Sequence, residues 1–121
     1  MIKRIVFLLF FLIHFLYPAN NTLRIIASAN INNEIDPCGW KKKPTGGLAR
    51  RATVVDEFKN SIKDYYIVDA GNLLFKKTSL EPGVSGEISR INADIILQSF
   101  DKIGCHAFSP GEKDFAAGKD F

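Results

Sequence analysis

A chain of 121 residues, 46% apolar and 24% charged, is one small domain or part of a larger one: it is too short for two domains of ordinary size and too apolar for a disordered segment. Its formal charge of +3 comes from 16 basic and 13 acidic residues, and without Lys3 and Arg4 the balance is 14 against 13. So small a surplus gives no electrostatic footprint for nucleic acid, and no nucleic-acid partner is expected.

The first 19 residues read as a secretory signal, with Lys3 and Arg4 as the positive n-region and a largely apolar stretch from Ile5 to Tyr17. The stretch is short for a spanning helix, and the site after Pro18-Ala19 is a weak cleavage signal. The expectation is an exported protein, periplasmic or extracellular, with an uncleaved membrane anchor as the alternative. Residues 23–29, Leu-Arg-Ile-Ile-Ala-Ser-Ala, predict a strand buried on at least one face. A loop covers residues 30–44. After Gly46-Gly47, apolar residues at Leu48, Ala52, Val55, Phe58 and Ile62 predict a helix, with Arg51, Glu57 and Lys59 on its other face. Residues 65–70 read as a central strand, and residues 73–90, with Pro82-Gly83 and Ser85-Gly86, as a polar insertion. A second helix is expected from Asn92 as N-cap to Gly104 as stop, followed by a short strand at residues 106–109.

The order β-α-β-α-β predicts an α/β fold with largely parallel strands. Three strands are few for a sheet that carries helices, so residues 20–121 are expected to be the N-terminal portion of a larger domain. Ligands of such sheets gather at the carboxyl ends of the strands. Here those ends are Asn30-Ile31-Asn32-Asn33, Gly71-Asn72 and residues 110–114.

Three stretches share a resemblance. They are residues 37–53, with Cys38-Gly39-Trp40, the lysines 41–43 and Gly46-Gly47-Leu48-Ala49-Arg50; Asp69-Ala70-Gly71-Asn72; and the frame Gly111-Glu112-Lys113-Asp114-Phe115-Ala116-Ala117-Gly118. Together they resemble the metallophosphoesterase (calcineurin-like) superfamily, in particular its secreted 5'-nucleotidase and 2',3'-cyclic phosphodiesterase type. The resemblance runs from Leu23 to Gly118 and implies an αββα sandwich, of which this chain supplies the first part.

The family carries Asp-x-His-Gly, Gly-Asp and Gly-Asn-His-Glu-Phe-Asp-x-Gly after its three strands, and these hold two divalent ions that activate water against a phosphate ester. By the resemblance, the metal-ligand positions are Asn30, Asn32, Asn72 and Glu112, and the catalytic positions are Glu112 and Lys113. Neutral amides therefore stand where anionic or imidazole ligands belong, and an ammonium stands where the catalytic histidine belongs. The expectation is a phosphoesterase-like domain without the two-metal site and with no cofactor. Asp69 and Asp114 would orient loops by hydrogen bonds, and Lys113 would pair with an acidic neighbour in place of a metal.

Two alternatives remain. One is a phosphoric-ester or nucleotide hydrolase with a remodelled metal site in a longer protein; as a residual function, Asp69, Glu112 and Asp114 could hold a single hard cation, with Asn30 or Asn72 adding amide oxygens. The other is a thiol-linked or protein-binding module built on residues 38–43. In the second, Cys38 is the candidate redox residue, its thiolate favoured by the neighbouring lysines. Some family members have Cys-Gly-Cys, or selenocysteine, in this loop, so Trp40 departs from a possible thiol pair. Cys38 and Cys105 could form a disulfide in an oxidising compartment, and spacing does not decide it.

Overall fold

The computed structural model describes residues 22–39 and 45–121. The expected signal at residues 1–19, and Trp40 with the lysines 41–43, lie outside the described residues. The chain is a mixed α/β unit: β1 (Arg24–Ser28), α1 (Leu48–Ser61), β2 (Tyr65–Asp69), α2 (Val84–Ile103), β3 (Ala107–Phe108) and a 3-10 turn at Glu112–Phe115. The sheet order is β1-β2-β3, and both pairs are parallel, with Ile26 opposite Ile67 and Asp69 opposite Phe108. Among the described residues, no helix is long and apolar enough to cross a membrane.

Both crossovers step in the same direction across the sheet, so right-handed connections place both helices on one side of it. The packing agrees: Val55 of α1 and Ile103 of α2 both lie against Ile67, the fully buried centre of β2. The residues that alternate with this face, Ile25 and Tyr66, are 60% and 51% exposed. As an edge strand with one uncovered face, β1 is only half-buried even at Ile26 and Ser28, less than its apolar sequence predicts.

The second helix begins at Val84, and Asn92 is an interior residue of it rather than its N-cap. Gly86, read from sequence as a turn residue, serves close packing inside the helix: a Cβ there would lie 2.2 Å from the Glu81 carbonyl oxygen. The helix ends as predicted at Gly104, whose left-handed backbone (φ 87) turns its N–H back to the Phe100 and Asp101 carbonyls.

Leu73, Leu74 and Phe75 are buried and pack with Leu48, Ala93, Ile96 and Phe100. The segment expected as a polar insertion therefore opens with part of the core. Three apolar residues in succession match neither the helix nor the strand period, which hid them.

Arg51 and Lys59 are also placed otherwise than expected. Arg51 lies over the Phe100 ring at 4.3 Å, and Lys59 Nζ donates to the Ile103 carbonyl at the end of α2. Each is four residues from the buried Val55, so helical geometry sets both beside the core stripe, where long basic side chains lay their stems along apolar surface.

Candidate functional site

The three strand ends meet through backbone bonds. Asn30 N donates to Gly71 O at 2.9 Å, Asn32 N to Asn72 O at 2.8 Å, Asn33 N to Leu73 O at 3.0 Å, and Ser109 N to Asp69 O at 2.9 Å. The approach is close enough that a Cβ on Gly71 (φ 95) would lie 2.4 Å from Gly111 N, so only glycine fits between the second and third loops.

Four asparagines shape this junction, with left-handed φ of 58 at Asn30, 53 at Asn32, 65 at Asn33 and 52 at Asn72. Among non-glycine residues, asparagine is one of the few that enters this region readily. Asparagine at these four positions thus suits the turn the backbone makes there.

Their side chains bond mainly to one another and to the loops. Asn72 Nδ2 donates to Asn30 Oδ1 at 3.0 Å, Asn32 Nδ2 to Asn30 O at 2.7 Å, and Lys113 N to Asn72 Oδ1 at 3.2 Å. Lys113 Nζ donates to Asn32 Oδ1 at 2.9 Å. The ammonium expected to pair with an acidic neighbour is bonded instead to an amide oxygen.

Asp114, 5% exposed, accepts from Leu73 N and Leu74 N on Oδ1 and from Gly111 N on Oδ2, each at 2.7 Å. Asp69, 3% exposed, accepts from Gly71 N at 2.9 Å and from the Ser28 hydroxyl. Carboxylates so engaged hold loops rather than offer lone pairs outward. Asn33, also buried, donates to Leu74 O at 2.6 Å and Ser89 O at 2.8 Å, and accepts from Asn92 Nδ2 at 3.2 Å.

This donor set does not fit two divalent cations. Asn30, Asn32 and Asn72 bring no charge, Asn32 already faces an ammonium, and Glu112 is exposed on the 3-10 turn. Among the described residues, no three His, Cys, Asp or Glu side chains are grouped so as to hold a metal.

Away from the junction, Cys38 sits on a short bridge to Thr45 and forms no disulfide with Cys105. Its thiol is hydrogen-bonded to Glu34, which pushes the thiol up from its ordinary range; the lysines 41–43 expected to favour the thiolate lie outside the described residues. Glu34 is held below the usual carboxylate range by that same bond and by Lys76, whose Nζ lies 3.2 Å away.

Residues 29–32, Glu34, Cys38, residues 45–47 and Arg51 line a cavity of about 470 Å³. Sequence reading missed the inward placement of Arg51, as well as Asn33 and Asn92. The signal for Arg51 was its spacing from Val55, and for Asn33 the density of asparagine at a strand end. Asn92 carried no local signal, since its partner is 59 residues away.

No protein-family model, curated protein or solved structure matches this chain.

Proposed function

We propose that this chain is a non-catalytic, exported domain of the secreted 5'-nucleotidase type of metallophosphoesterase fold, contributing the first part of an αββα sandwich. The observation that carries this reading is the Lys113 ammonium bonded at 2.9 Å to Asn32 Oδ1, inside a ring of asparagine amides where the family places two cations. A fixed ammonium and a dication repel each other, and neutral amides do not offset the second charge. Asp69 and Asp114 are retained as loop holders, each accepting backbone N–H bonds. Export is supported by Lys3, Arg4 and the apolar stretch that follows them.

The reading is tested by hydrolysis of p-nitrophenyl phosphate and nucleoside monophosphates in the presence of Mn²⁺, Co²⁺ or Zn²⁺. The expected result is no turnover above the metal blank. Metal-dependent hydrolysis that disappears in Glu112→Ala would overturn it and establish a remodelled active site.

A further inference from the structure

We propose that the cavity between the β1–α1 loop and the first turns of α1 is a binding site for a small organic oxyanion, anchored by Arg51. The inference concerns a different set of side chains from the amide ring and stands whether or not metal binds there.

Among the described residues, Arg51 has no direct counter-ion. Nε and Nη2 of its guanidinium are fully buried and have no hydrogen-bond partner among the described residues, and the guanidinium lies over the Phe100 ring at 4.3 Å. Asp69 supports the charge from a distance, but the Asp69 oxygens already accept from Ser28 and Gly71. Burial disfavours the charged form of Arg51, yet a guanidinium does not give up its proton in a protein. A cation held this way is stabilised by an anion brought to it.

The surroundings suit that anion. Arg51 shares the cavity with Gly46 and Gly47, which precede a 14-residue helix that has no acidic residue in its first turn and no side-chain cap. The positive end of the helix dipole therefore faces no acidic side chain of its own helix, with Leu48 N donating to the Ile35 carbonyl at 2.9 Å and Pro37 lying over Gly47, while a Cβ on Gly46 would meet nothing within 4 Å. Asn30 and Asn32 supply amides on another wall. The one carboxylate among the described lining residues, Glu34, is offset by Lys76 at 3.2 Å and bonded to Cys38. A volume of about 470 Å³ is that of a small-molecule site rather than of an inorganic ion, which points to an oxyanion head group on an organic body.

The test follows the guanidinium Nε–H resonance of Arg51 in the full chain, assigned by its loss in Arg51→Lys, during titration with phosphate, sulfate or citrate against chloride of matched ionic strength. The account predicts a saturable shift with at least one oxyanion and none with chloride, together with a rise in thermal midpoint that saturates alike. Whether phosphate and sulfate or citrate gives the tighter binding identifies the head group as tetrahedral or carboxylate. Arg51→Gln should weaken binding about tenfold or more, while Arg50→Gln, an identical change of charge one residue away, should stay within about twofold. Should Arg51→Gln not fold, the wild-type titration and the Arg50→Gln comparison still decide. Absence of a saturable shift with every oxyanion, or equal weakening by Arg50→Gln, would overturn the proposal.

Discussion

The strand-end junction and the outward surfaces of the same molecule are built on opposite terms. At the junction, two carboxylates and an asparagine are buried to 5% exposure or less, and each accepts or donates at least two hydrogen bonds. On the uncovered face of the sheet, Ile25 and Tyr66 stand in solvent, and on the outer side of α2 the residues Val84, Ile88, Ile91 and Ile95 form a stripe that is 40% to 76% exposed. Polar groups are enclosed where chemistry would be expected, and apolar groups are left outside. The contrast teaches that the loops are set by saturated hydrogen bonding, whereas the exposed apolar surface adds little to holding them.

The largest effect should come from breaking the junction at Asp114. Replacing it with alanine strands the N–H groups of Leu73, Leu74 and Gly111, and urea unfolding should show a loss of about 3 kcal/mol or more. Asn33→Ala should follow at about 2 kcal/mol, because it removes the bonds to Leu74, Ser89 and Asn92 and puts alanine in a left-handed backbone. If either variant unfolds like the wild type, the junction is not what orders the loops.

Lys113→Met leaves the backbone bond to Asn72 intact and removes only the Nζ bond to Asn32, so about 1 kcal/mol is expected. On the outward side, Ile91→Lys with Ile95→Lys should change stability by less than about 0.5 kcal/mol. It should reduce self-association in sedimentation velocity, since the exposed stripe is the stickier surface. A large stability loss there would mean that the stripe is packed in solution.

The smallest effect concerns Cys38. Its bond to Glu34 raises the thiol above its ordinary range, so as pH rises the proton is retained longer than in the unfolded chain, and the thiolate is scarce near pH ~8. Iodoacetamide alkylation should be slow there and accelerate in Glu34→Gln. An unchanged rate would remove the hydrogen bond from the account.

The fold was legible where periodicity was clean. Leu48 and Val55 at helical spacing, Tyr65 through Asp69 as a central strand, and the Gly104 stop all follow from local patterns that the tertiary structure leaves unchanged. The misplaced start of α2 has a physical cause: a glycine that permits backbone contact with Glu81 looks, in sequence, like a glycine that makes a turn. Leu73, Leu74 and Phe75 are consecutive, and their burial depends on α2 lying across them, which no short window contains.

At the junction, the positions were legible and their bonding was not. Asn30, Asn32 and Asn72 stand on the three-loop cluster as expected, but Lys113 bonds an amide, Asn32, rather than a carboxylate, while Asp114 is engaged with the N–H groups of Leu73 and Leu74. Lys113 and Asn32 are 81 residues apart, and Asp114 is 41 and 40 residues from Leu73 and Leu74, so these pairings are not a matter of spacing along the chain.

The most direct test of the central claim, that an ammonium and amides occupy the place of two cations, is calorimetric titration of the folded full chain with Mn²⁺, repeated with Zn²⁺ and Co²⁺. The account predicts only weak, non-saturating heats like those of a generic acidic surface, unchanged in Glu112→Ala. Sub-micromolar binding at two sites per chain, lost in Glu112→Ala, would contradict it.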